Sequence, residues 1–74
     1  MTQIFLDRSR ELQHRIWGEF REMPGLRITL EQACRLFGGQ PTEVAAALQD
    51  LVNAAVLRQI GPYFLRADWE HFTA

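Results

Sequence analysis

The sequence predicts a mainly α domain, three helices followed by a small two-stranded β-hairpin. Three observations carry this prediction. Apolar residues recur at helical spacing in three separate segments. Each segment is bounded by residues that start or stop a helix, among them Pro24-Gly25, Thr29 and Pro41. Two short runs rich in β-forming residues, "VLRQI" and "YFLR", flank Gly61-Pro62.

The first segment, about 4–22, is an amphipathic helix. Phe5, Leu12, Ile16, Phe20 and Met23 recur at steps of seven, four, four and three, which keeps them on one stripe. Leu6 and Trp17 sit on its shoulder and widen the apolar face, so a second element is expected to pack there. Pro24-Gly25 stops the helix. Gly18 lies mid-helix on the opposite side, where glycine costs about 1 kcal/mol against alanine. It is either simply tolerated, the favoured reading, or a point of close approach for another backbone.

Leu26 to Ile28 form an extended approach to the second helix. Thr29 and Gln32 have the spacing of a capping box, in which the cap hydroxyl and the Gln side chain satisfy each other's backbone N–H groups. On the helix that follows, Leu30, Ala33, Cys34 and Phe37 share one face. Gly38-Gly39-Gln40 make the turn, and Pro41 occupies the favoured first position of the third helix. That helix is expected to reach about Ala55, with Val44, Leu48, Leu51, Val52 and Ala55 within a sector of about 100°. The last residues, "ADWEHFTA", allow Asp68 to cap a short helical turn, about 68–73, that lays Trp69 and Phe72 over Leu6 and Trp17.

Seventy-four residues make one domain, 1–74, that buries only about 60% of its extended-chain surface. Its 47% apolar and 23% charged composition is that of a globular domain rather than a disordered tail. No run approaches the roughly 18 apolar residues of a membrane span. Charges appear too early for a secretory leader, so cytoplasm is the expected compartment and no membrane partner is expected. One cysteine excludes an internal disulfide and a cysteine-based zinc cage; Cys34 is expected to be a small packed residue. His14 and His71 have no second ligand at metal spacing, and no nucleophile–base arrangement or phosphate-binding loop appears. The chain is therefore expected to be neither an enzyme nor a cofactor or metal carrier.

The segment "TLEQACRLFGGQPTEVAAAL" resembles the helix-turn-helix pattern of the winged helix-turn-helix superfamily, with Thr29, Leu30, Ala33, Phe37, Gly38, Pro41 and Val44 at the family's positions. "LVNAAVLRQ" followed by "GPYFLRA" is similar to that family's exit into its wing. The stretch "EMPGLRITLEQACRLF" resembles short stand-alone bacterial members. The resemblance covers residues 19–67 and implies a three-helix winged helix-turn-helix: helix-turn-helix about 29–55, two-stranded wing about 56–66, then the C-terminal turn. Two departures stand out. Gly39 replaces the family's usual buried Leu in the turn, so Leu36 either swings inward to compensate or stands exposed. Ala55 occupies the place of the usual wing-entry glycine, so the helix is expected to run a residue further.

Function is implied by this resemblance alone. It implies a transcription-regulator-like protein that binds double-stranded DNA weakly or as a homodimer. The third helix would lie in the major groove with Thr42, Ala46, Gln49 and Asn53 as base readers. Arg27, Arg35, Arg58 and Arg66 would anchor phosphates, on one side and across two half-sites of a dimer. Charge opposes this reading: the net charge is −1, all eight basic residues are Arg, and the third helix carries Glu43 and Asp50 with no basic residue. The alternative is a protein-interaction module. Its interface, or that of a homodimer, would draw on Trp17, Gly18, Phe64, Trp69 and Phe72. Phe64 belongs to this set if Tyr63 and Leu65 face the core, because period-two alternation then turns it outward; a register shifted by one buries it instead.

Overall fold

In the computed structural model the backbone is described for residues 2–68 and side chains from Ser9 to Asp68. The elements follow in the order α1 (Thr2–Glu22), β1 (Ile28–Thr29), α2 (Leu30–Phe37), α3 (Pro41–Asn53), β2 (Leu57–Ile60) and β3 (Tyr63–Arg66). The expected Trp69–Phe72 turn, and the side chains of Phe5 and Leu6, lie outside the described residues.

On α1 the apolar stripe is real but shorter than its periodicity suggests. Ile16 and Phe20 are fully buried and Leu12 packs against the same core. Met23, expected to continue the stripe, is 45% exposed. The helix has ended at Glu22, and the Met23 carbonyl accepts the Leu26 N–H at 2.9 Å in the turn that Pro24-Gly25 make. Leu26, half-buried, packs on the core instead.

The start of α2 is as expected. The Thr29 hydroxyl accepts the Gln32 N–H at 3.1 Å, and the Gln32 side chain accepts the Thr29 N–H at 2.9 Å. Such a cap stabilises a helix by about 1 kcal/mol. Ala33 and Phe37 are buried, with Leu30 and Cys34 packed beside them. Gly38, at φ +68, closes α2 with its N–H on the Cys34 carbonyl.

Pro41 opens α3, whose buried side is Val44, Ala47, Leu48 and Leu51. The expectation that this helix runs on to Ala55 is corrected. It ends at Asn53, and Ala55 itself adopts the left-handed conformation, φ +66. The Val56 N–H reaches the Leu51 carbonyl and the Ala55 N–H the Val52 carbonyl, which is a Schellman ending with alanine where glycine is usual. Leu51 and Val56 both pack on the core, supplying the apolar contact that accompanies this ending. Left-handed alanine costs about 1–2 kcal/mol, and glycine gives back about 0.4–1 through its looser unfolded chain. Ala55→Gly is therefore expected to raise stability by about 0.5–1 kcal/mol in urea denaturation. A lower midpoint at unchanged slope would contradict this placement.

The sheet has three antiparallel strands in the order β1-β3-β2, where the hairpin alone was expected. The approach to α2 supplies the third: Ile28 pairs with Phe64 and Thr29 with Tyr63. Across the hairpin Leu57 pairs with Arg66, Arg58 with Leu65, Gln59 with Phe64 and Ile60 with Tyr63. Gly61, at φ +59, supplies the positive φ that a two-residue hairpin loop needs.

This pairing corrects the wing register. Phe64 is buried, 7% exposed, and belongs to the core with Ile28 and Leu57; Tyr63 is the exposed residue, at 44%. Phe64 is thus removed from the candidate interface. β3 is the central strand, so Phe64 is held opposite Ile28, whose own side chain must face the core. Leu65 is also buried but lies outside the core cluster, on the sheet's other face beside Arg58. Burial on both faces of β3 is why alternation misled.

Candidate nucleic-acid interface

Thr42, Ala46, Gln49 and Asn53 follow one another at steps of four, three and four along α3, and all four are exposed. They form one strip opposite the buried side. Gln49 Nε2 donates to Asn53 Oδ1 at 3.3 Å, so the two amides are aligned along the helix. The helix brings the four expected readers together.

The two acidic residues of α3 do not lie at the centre of this strip. At about 100° per residue, Glu43 and Asp50 fall on its flank. Gln13 of α1 donates to the Asp50 carboxylate at 2.9 Å, which places that flank against α1. Glu43 is half-buried and lines a cleft of about 530 Å³ bounded by α1, the α2–α3 turn and α3. Leu12, Arg15, Phe37, Gly39 and Ala46 line the same cleft. It opens where the turn has no apolar side chain: Gly39 sits at φ +119, and a Cβ there would lie 3.7 Å from Glu43 Oε1 and 3.8 Å from Val44 Cγ2. Leu36 does not swing in to fill it; it stands 52% exposed.

The four arginines differ in their surroundings. Arg27 is exposed in the approach to β1. Arg35 meets Glu31 at 3.6 Å, with both side chains largely in solvent, a pair worth about 0.5 kcal/mol or less and readily given up. Arg58, half-buried on β2, stands opposite Leu65. Arg66 is committed within the chain. Its guanidinium donates to both Asp68 oxygens, at 3.0 and 2.7 Å, and lies over the Trp17 ring 5.6 Å from its centre. Asp68 therefore receives Arg66, and Trp17, half-buried, has the arginine above it. Such a cation–π contact contributes about 0.5–1 kcal/mol and ties the end of the hairpin to α1.

Of the other expected interface residues, Gly18 faces open space, with nothing within 4 Å of where its Cβ would be. Trp69 and Phe72 lie outside the described residues. Sequence reasoning missed Ile60 and Tyr63, which pair across the hairpin end at 51% and 44% exposure. The β-branched Ile28-Thr29 pair was the signal that another strand fixes this register. Among the described residues no group of acidic, histidine or cysteine side chains is arranged to hold a metal, and no helix is long and apolar enough to cross a membrane.

Comparison with models of known families, with characterised proteins and with solved structures gives no match. The class rests on architecture: three helices, a small antiparallel sheet and a C-terminal hairpin in a winged-helix-like arrangement.

Proposed function

We propose that this protein is a small DNA-binding domain of the transcription-regulator kind, with weak affinity as a single copy. The observation that carries the reading is the outer strip of α3: exposed, neutral and hydrogen-bonding, with Glu43 and Asp50 held to the flank toward α1. Gln49 and Asn53 have the amide groups that pair with adenine edges, and the Ala46 methyl suits a thymine methyl. Anchoring falls to Arg27 and Arg35, since Arg66 serves Asp68 and Trp17. Few anchors and a net charge of −1 account for weak binding.

The test is a fluorescence anisotropy titration of labelled random duplex at low salt. Binding is expected with a dissociation constant of about 10⁻⁴–10⁻⁶ M, rising steeply with salt. Arg27→Ala and Arg35→Ala should weaken it on every sequence, while Gln49→Ala should change base preference by about 1–3 kcal/mol at one position. No binding near 100 μM, at the weak end of that order-of-magnitude range, would overturn the reading.

A second reading, a protein-interaction module, is favoured by one observation. Ile60 and Tyr63 form an exposed apolar pair at the wing end, a place suited to a protein surface. If the duplex titration fails, this reading takes its place.

A further inference from the structure

We propose that α1 is a dimerisation helix whose partner is a second copy of this chain, crossing antiparallel at Gly18. A shallow groove of about 340 Å³ runs along the outer side of α1 beside the end of α2, lined by His14, Arg15, Gly18, Glu19, Glu22 and Leu36. At its middle Gly18 presents bare backbone, with open space where a side chain would stand. At its rim Leu36 is 52% exposed, apolar surface that nothing in the described chain covers. A bare backbone position flanked by apolar surface lets two helices approach closely.

The charges around Gly18 select the occupant. Arg15 and Glu22 are seven residues apart, so they lie within about 20° of each other around the helix, on the same side of Gly18. One is three residues before the glycine and the other four after. A two-fold axis through Gly18 therefore sets Arg15 against the partner's Glu22, and Glu22 against the partner's Arg15. Such a strip, basic at one end and acidic at the other, is self-complementary, as an isologous contact requires. Arg15 is already held in place by its bond to the Phe37 carbonyl at 3.0 Å, and Glu22 has no ion pair among the described residues. On the strip's other side His14 meets the partner's Arg21, which are not complementary, so the two Arg15–Glu22 pairs set the contact. One helix crossing is smaller than a standard interface of about 1,600 Å², as in weak, reversible associations.

None of Thr42, Ala46, Gln49 and Asn53 lines this groove, so the contact leaves the outer strip of α3 open. The dimer does not rest on the DNA reading, and a duplex titration does not test it.

The experiment is sedimentation of the whole chain, without DNA, up to several hundred micromolar. Arg15→Glu and Glu22→Arg are each expected to weaken self-association by about tenfold or more, since each turns two attractive pairs into two repulsive ones. Mixed in equal amounts, the two variants are expected to associate as the wild type does, because the mixed dimer again sets opposite charges together in both pairs. Loss of a merely intramolecular role would not be repaired by mixing. Gly18→Gln, a better helix former that holds the backbones apart, should keep the far-UV circular dichroism and lose the dimer. A monomeric wild type, single variants that sediment as the wild type does, or a mixture that stays monomeric would each overturn the proposal.

Discussion

Phe20→Ala is expected to lower the melting temperature by about 12 °C or more and to leave part of the protein unfolded at ambient temperature. Phe20 is fully buried on α1, and Ile16, Val44, Leu48 and Leu57 are the other large side chains buried as completely. Truncating a buried Phe costs about 3–5 kcal/mol, because lost transfer free energy and a residual cavity add. Domains are stable by only about 0.05–0.15 kcal/mol per residue, so a chain this short has little to spare. Thermal unfolding followed by circular dichroism measures it. A shift within about 3 °C, less than 1 kcal/mol in a domain of this size, would mean that Phe20 does not occupy the core.

The wing offers the second large effect, as a contrast between neighbours. Phe64→Ala is expected to cost about 3–5 kcal/mol, whereas Tyr63→Ala should stay within about 0.5 kcal/mol of the wild type. The asymmetry follows from position: Phe64 faces Ile28 and the core, and Tyr63 stands at 44% exposure beside Ile60. Urea denaturation of the two variants decides the register. If Tyr63→Ala proves the more damaging, the strand is turned over and Phe64 returns to the surface as a contact residue. That outcome would also strengthen the protein-interaction reading, which at present rests on Ile60 and Tyr63.

The candidate DNA strip was legible in advance because it depends on one helix alone. Pro41 sets the start of α3, its buried side sets the rotation, and Thr42, Ala46, Gln49 and Asn53 follow on the opposite side. The treatment of charge was not legible. Asp50 is met by Gln13, 37 residues earlier in the chain, and Arg66 is turned toward Trp17 on α1. Both contacts depend on how α1 lies against the rest, which no local spacing encodes. They bear on the functional reading in opposite directions, one giving an acid on the strip's flank a partner and the other withdrawing an anchor.

Features made by bonds within about four residues can be read from spacing alone. The Thr29–Gln32 box, the Pro24-Gly25 stop and the Gly38 closure of α2 are of this kind. Their partners lie within one helical turn, so spacing is enough to find them. Contacts between distant segments account for the rest. They made Ile28-Thr29 a third strand, buried Phe64 against Ile28 and left Leu36 in solvent. Each of these depends on which distant segment arrives as a neighbour. A strand's inward face, in particular, has no identity until its partner is in place.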